Sequence, residues 1–477
     1  MTDLLLLAAG VTVSLAASWL LVSRLERLGE RAGFSEAWLG LVAALAADAP
    51  EITSAVTALV RGQASVGAGV VIGSNVFNQA ALLGLAAVVA GQIAFDRRVV
   101  LLAGIPGIWI ALACLLTVAA LVTPAAGLAL TAAVLGPYAA ALGMNRARLE
   151  RTPLPGGWVR WLVAAVHEEE AELAEAIRPR RGTWRDALAA AAALIAVVGA
   201  STVMEVAAAA AGRRYAVADI VTGGLVLAVV TSLPNAVTAV YLARRGRGAA
   251  VLSTALNSNA INVLAGLLVP ASLAGLGARS GLSALVAAWY AGLTVLALAL
   301  AWRYRGVGRP AGAVIIAGYL AFVIALVSSV ALGGVGLLTA ILPAVAVAAP
   351  GVLLLAGPAA GATDGRWHRA SLLPGWSVGR LWRLSLILCA VVAGCDAASG
   401  PRLILIGVLI VGPCCALLTG RWVPTATAGG VALALGGLLG VPDQIFATAI
   451  HYTSLAAIAV VGAATTASAA VLQGRAR

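Results

Sequence analysis

Residues 99–121 read VVLLAGIPGIWIALACLLTVAAL, with no charged side chain among them. A helix needs about 20 apolar residues to cross the hydrocarbon core of a bilayer. In lipid an unpaired backbone group costs several kcal/mol, so such a run must be helical. By this rule the chain holds about 15 spans, near 3–23, 36–60, 65–91, 99–121, 124–143, 187–211, 217–243, 249–275, 281–302, 311–333, 335–357, 382–399, 403–420, 424–441 and 445–471. Only 10% of residues are charged, against about 25% in soluble domains. The expected class is therefore an all-α polytopic membrane protein. A soluble enzyme and a nucleic-acid binder are both excluded.

All 31 basic residues are arginine, and the net charge is +12. In a membrane chain such charges fix topology rather than bind nucleic acid. With the N-terminus outside, 26 arginines fall in inside segments and 5 outside. The C-terminus is then cytoplasmic. An Ala-, Gly- and Arg-rich, lysine-free composition points to a bacterial plasma membrane. The N-terminal run lacks a preceding basic region and reads as a retained first helix. Cys114, Cys389, Cys395, Cys414 and Cys415 lie in apolar runs without metal-ligand spacing and read as small hydrophobes. The loop 144–186 carries HEEEAELAEAIRPRR, acids first and arginines last, as suits a solvated amphipathic helix. The segment 358–380 shows no chemistry.

Polar clusters interrupt the apolar runs twice, as IGSNVFN at 72–78 and LNSNAIN at 256–262. A shift of 184 residues superimposes them without a gap. Pro50 falls on Pro234, Glu51 on Asn235, Ser74 on Ser258, Asn75 on Asn259 and Asn78 on Asn262. Five spans separate the copies, so the second is inverted relative to the first. Inverted repeats are a common architecture of secondary transporters, with the ion site at the midplane where the repeats meet.

Few acids lie within spans, and intramembrane acids mark functional sites by default. Asp48 and Glu51 are three residues apart, hence on one helix face. Pro50 between them breaks the helical ladder and frees a carbonyl. Pro234 is expected to do the same beside Thr231, Ser232 and Asn235. The partner helices supply Ser74 and Asn78, or Ser258 and Asn262. Carboxylates, amides, hydroxyls and freed carbonyls are hard oxygen ligands, suited to Na+ or Ca2+. Single S-N-x-x-N clusters also glue helices together. Two copies at a fixed offset, each behind a polar Pro-containing helix, favour an ion site. Glu205, near the outer end of its span, reads as an interfacial or gating residue. Asp396 and His451 read as local hydrogen-bonding groups.

At these motifs the sequence resembles the calcium/cation antiporter superfamily, and within it the sodium/calcium exchanger membrane domain. The resemblance covers residues 1 to about 333. It implies a ten-helix, inverted-repeat (5+5) core in which each repeat pairs a T-S-x-P-E-like helix with a G-S-N-x-x-N/D-like helix. Residues 1–143 would form the first repeat, with its motif pair at about 36–91. Residues 187–333 would form the second, with its pair at about 217–275. The loop 144–186 would join them, and 334–477 would add about five spans as a C-terminal extension of undefined role. The resemblance implies antiport, with Ca2+ exchanged for Na+, or for H+, by alternating access. Inorganic cations and the lipid bilayer are the partners, with no cofactor, and homo-oligomerisation is left open. Carried over by position, Glu51, Ser74, Asn78, Thr231, Ser232 and Ser258 match site positions of the family. The chain departs at Asn235 and Asn262, where the second repeat usually has acids, and at Ala47-Asp48, which replaces T-S. Both acids of the expected site therefore come from the first repeat. Two carboxylates neutralise one Ca2+ or two monovalent ions, and three Na+ would leave uncompensated charge at low dielectric. A non-transporting scaffold or sensor that kept the fold is the alternative of a different class.

Overall fold

Helices of a membrane domain gain little from hydrophobic attraction to one another, because the lipid is equally apolar. They associate through close backbone packing and buried polar contacts, and the sequence provides both. The computed structural model describes residues 2–32, 44–144, 149–151, 157, 159–166, 182–277, 280–331, 333, 377–399, 406, 409, 411–417, 419–442, 444, 446–447 and 449–475. The first repeat comprises α1 (Thr2–Ala32), α2 (Ala49–Val60), α3 (Ala64–Ala90), α4 (Arg97–Val118) and α5 (Pro124–Gly143). The second comprises α6 (Trp184–Arg214), α7 (Asp219–Arg244), α8 (Gly248–Ala274), α9 (Gly281–Tyr304) and α10 (Arg309–Ala331). Nine of these ten are long and apolar enough to span a bilayer, and α2 is the shorter tenth. A helical stretch at 44–47 precedes α2 across a turn at Asp48.

The centre of the bundle consists of α3, α8 and α9. In their most apolar stretches 89%, 83% and 94% of residues are buried, against 22% for α1 and 28% for α6. The motif helices α3 and α8 are thus shielded from lipid, which their amide side chains require. Both leave regular α-geometry directly after the motif. Wide π-helical turns occupy Gln79–Leu85 in α3 and Asn262–Leu268 in α8, at matching places in the two repeats. A third such stretch, Thr222–Leu227, opens α7. Turns of this kind recur at functional sites.

Glycines set the crossing of α3 and α7. A Cβ on Gly73 would lie 2.6 Å from Gly224 Cα, and one on Gly69 would lie 2.9 Å from Gly224 N. Gly73→Val is expected to force these backbones apart at a cost of about 1–3 kcal/mol. Thermal unfolding in detergent should show a lowered midpoint. A Gly73→Val protein that melts like the wild type contradicts this crossing.

On one side of the bundle a two-stranded antiparallel ribbon, β1 (Gln92–Ala94) with β2 (Gly306–Gly308), joins the α3–α4 and α9–α10 connections. Beyond the core lie α11 (Val378–Ser399), α12 (Val411–Leu417), α13 (Trp422–Leu439) and α14 (Ala449–Arg475). Of these, α13 is long and apolar enough to span. The expected span 335–357, the helix of 167–181 and the segment 358–376 lie outside the described residues. His451 makes the local contact its lone position implies, with Nε2 3.1 Å from the Gly436 carbonyl. Cys114, Cys389 and Cys415 are buried free thiols.

Candidate ion-binding site

Pro50 has no N–H, so the carbonyl four residues earlier, on Ala46, loses its helical partner. Ser18 of α1 takes that role, donating to Ala46 O at 3.1 Å. The chain turns at Asp48 and α2 begins at Ala49, which puts Asp48 at the cap and Glu51 in the first turn. Helical backbone bonds run on through Asp48, from Asp48 N to Ala44 O and from Ile52 N to Asp48 O, each at 2.9 Å. Both carboxylates are fully buried.

Pro234 likewise has no N–H, so the Val230 carbonyl loses its ladder donor. α7 continues as regular helix through it, and the irregular turns come earlier, at Thr222–Leu227. The matching stretch of the first repeat, 38–43, lies outside the described residues.

The two repeats meet side chain to side chain. Asn235 Nδ2 donates to Asp48 Oδ1 at 2.8 Å, and Ser258 Oγ donates to the same oxygen at 2.7 Å. Ser232 Oγ donates to Glu51 Oε1 at 3.0 Å. Asn78 Nδ2 lies 3.3 Å from Ser258 Oγ, which links α3 to the carboxylates through one hydroxyl. Under the 184-residue offset Asp48 matches Ser232 and Glu51 matches Asn235. Each carboxylate thus pairs with the residue that matches the other carboxylate, as a two-fold relation between the repeats demands.

A second layer ties the motif helices together and was not legible as a site in the sequence. Asn75 Nδ2 donates to Asn259 O at 3.0 Å, and Asn259 Nδ2 reaches Asn75 O at 3.5 Å. Asn78 Nδ2 donates to Asn259 Oδ1 at 3.0 Å, and Asn262 Nδ2 to Asn75 Oδ1 at 3.3 Å. All four contacts occur in matched pairs. Because the amide nitrogens face these acceptors, the orientation of each amide is set by the network. Asn75 and Asn259 are bracing residues. Their only sequence signal was their place inside the repeated motif.

Ser74 and Thr231 are buried but donate to backbone. Both reach Ala228 O, at 3.4 and 3.3 Å, and Thr231 also reaches Leu227 O at 2.9 Å. Ser74 thus ties α3 to α7, while Thr231 bonds back onto its own helix.

Four buried oxygens in this region have no hydrogen-bond partner: Asp48 Oδ2, Glu51 Oε2, Asn78 Oδ1 and Asn262 Oδ1. Two belong to carboxylates and two to amides at matching positions. No ion pair among the described residues involves either carboxylate. Buried charge without a partner costs several kcal/mol. A hard cation bound through these oxygens removes that cost, and so does protonation. Among the described residues no cluster of three His, Cys, Asp or Glu is present. The donor set is one of carboxylates, amides and hydroxyls.

Two inverted five-helix repeats around a buried polar centre are an architecture of secondary transporters. The family model "Sodium/calcium exchanger protein" matches residues 2–145 and 187–328, and the chain belongs to that family. Its members are transporters rather than enzymes. Among solved structures, the crystal structure of the H+/Ca2+ exchanger CAX is similar at 15% identity and a TM-score of 0.51. The match covers 74% of this chain and 87% of that one. The sodium-calcium exchanger NCX_Mj, soaked with 2.5 mM Na+ and 0.1 mM Ca2+, is similar at 20% identity and a TM-score of 0.45. That match covers 69% and 98% of the two chains. Comparison with curated proteins finds no match.

Proposed function

We propose that this chain is a cation antiporter that exchanges Ca2+ for Na+ by alternating access around the Asp48/Glu51 centre. The carrying observation is the pair of fully buried carboxylates on one helical turn, each with one oxygen lacking a hydrogen-bond partner. Asp48 and Glu51 supply the charge, and Asn78 and Asn262 supply neutral oxygens. Ser232, Asn235 and Ser258 orient the carboxylates from the inverted repeat.

The departures from the family pattern fit together in this reading. Asn235 replaces the second-repeat glutamate, and its amide hydrogen-bonds the extra acid, Asp48. One carboxylate is thereby supplied from the other side of the two-fold relation, and with Asn262 also neutral the site holds two. The site charge of two matches one Ca2+ or two monovalent ions. H+ as counter-ion is the second reading. It is favoured by the burial of both carboxylates one turn apart, since like charges so placed are relieved by a proton. The arginine distribution supports a plasma-membrane orientation with the N-terminus outside and the C-terminus cytoplasmic.

Purified protein in liposomes, given external ⁴⁵Ca2+, tests the proposal. Uptake is expected with Na+ trapped inside and should collapse when the Na+ gradient is dissipated. Uptake driven by an imposed pH gradient and not by Na+ selects the second reading. No uptake under either gradient overturns the antiporter function and leaves the scaffold alternative.

A further inference from the structure

Among the described residues of the core two buried acids lie outside the central site, and one of them, Asp186, is paired with Arg24 and Arg27. Glu205 of α6 is fully buried, and its Oε2 has no hydrogen-bond partner. With the Gln63 amide nitrogen turned toward it, Gln63 donates to Glu205 Oε1 at 2.9 Å and accepts from Arg213 Nη1 at 3.2 Å. Gln63 precedes α3 in the short connection from α2. Arg61 and Arg213 are the charged groups within electrostatic reach of the carboxylate.

Between Glu205 and the central site runs a polar seam. On α2, Ser54 and Thr57 follow Glu51 at intervals of three residues, along one helix face. On α6 they meet the Ser201 carbonyl and the Thr202 hydroxyl, while the Ser201 hydroxyl pairs with Ser14 of α1 at 2.7 Å. Ser54 Oγ lies 3.5 Å from Ser201 O, and the Thr57 and Thr202 hydroxyls are 3.4 Å apart. The seam therefore leads from Glu51 outward to Glu205, at the end that the arginine count places outside. The inverted half keeps only part of this seam: Ser54 matches Thr238 and Thr202 matches Ser18, but no acid stands opposite Glu205. Glu205 matches Leu21 and Ser201 matches Ala17, both buried and apolar. Thr57 matches Tyr241, which is 53% exposed. Polar residues that only glued helices together would not need a carboxylate at one end of one seam.

We propose that Glu205 is the cation-receiving group of the outer route: a carboxylate site for the small hard cation that the protein transports. In the closed arrangement the Gln63 amide covers one carboxylate oxygen, and Arg61 and Arg213 balance its charge. A cation arriving from outside displaces Gln63, and Arg213 leaves with it. The cation then passes along the Ser54–Thr57–Ser201–Thr202 seam to Glu51. This inference rests on the antiporter reading above, and two readouts separate the two.

The first readout is ⁴⁵Ca2+ flux in liposomes with Glu205→Gln and Glu205→Leu, measured for Ca2+ added on either face. The KM for Ca2+ added on the Gln63 face should rise roughly five- to tenfold on loss of this one charge contact. The KM from the opposite face and the maximal rate should not change. An unchanged KM on the Gln63 face, or equal changes on both faces, overturns the inference. The second readout does not require flux. Thr202→Cys should react with a membrane-impermeant thiol reagent from the Gln63 face, and Ca2+ should slow that reaction. Adding Glu205→Gln should abolish the slowing, whereas adding Glu51→Gln should leave it intact. No labelling from that face, or Ca2+ protection that persists without Glu205, overturns the inference whether or not the protein carries flux.

Discussion

Glu51→Gln is expected to lower Ca2+ exchange at least about 100-fold, because removing one charged partner at a buried site costs about 3–5 kcal/mol, or two to three decades. The substitution keeps the size of the side chain and leaves an oxygen for Ser232 to donate to. It removes half the negative charge of the centre. Asp48→Asn should have an effect of the same order, because Asp48 carries the other half. It should also disturb the Asn235 and Ser258 contacts, both of which end on Asp48 Oδ1. Asn235→Ala is expected to be milder, since it removes an orienting amide and no charge. A Glu51→Gln protein that folds and exchanges Ca2+ at the wild-type rate removes this residue from the site.

The second large effect concerns membrane voltage. Moving one net charge through 100 mV is worth about 2.3 kcal/mol. An exchanger that carries three Na+ per Ca2+ would therefore shift its equilibrium Ca2+ gradient about 40-fold per 100 mV. The two carboxylates of this centre predict exchange of one divalent cation for two monovalent ones. Valinomycin-clamped K+ potentials across liposomes should then leave the Ca2+ gradient unchanged at fixed Na+ and pH gradients. A shift of the size expected for three Na+ would show that some further group supplies negative charge. The prediction holds for either counter-ion, so it tests the charge of the site independently of the coupling question.

Much of this was legible in the sequence because an inverted repeat leaves a record at two scales. The 184-residue offset identified the paired helices, and the arginine alternation gave their opposed directions. Asp48 and Glu51 stood out because acids are costly in lipid. What the offset could not show is which residues meet across the two-fold relation. Asn75 looked no different from Asn78 in the motif, yet Asn75 braces α8 while Asn78 keeps a free oxygen. That difference arises from the crossing of two helices far apart in sequence. The partner of the carbonyl freed by Pro50 is Ser18, on a helix that carries no motif. Pro234 leaves the Val230 carbonyl without its ladder donor and still lies inside its helix. A proline marks where a helical hydrogen bond is missing, but packing decides whether the helix breaks there, and α7 does not. The role of residues beyond 333 stayed closed because no motif recurs there.

The central claim is that the two repeats form one cation site whose charge comes from the first repeat alone. Equilibrium ⁴⁵Ca2+ binding to the purified protein in detergent tests it most directly. With Glu205 replaced by Gln, so that the outer carboxylate holds no cation, one Ca2+ should bind per chain. That same binding event should be lost in Glu51→Gln, from the first repeat, and strongly weakened in Asn262→Leu, from the second. Two Ca2+ per chain, or binding indifferent to Asn262→Leu, would contradict a single shared site.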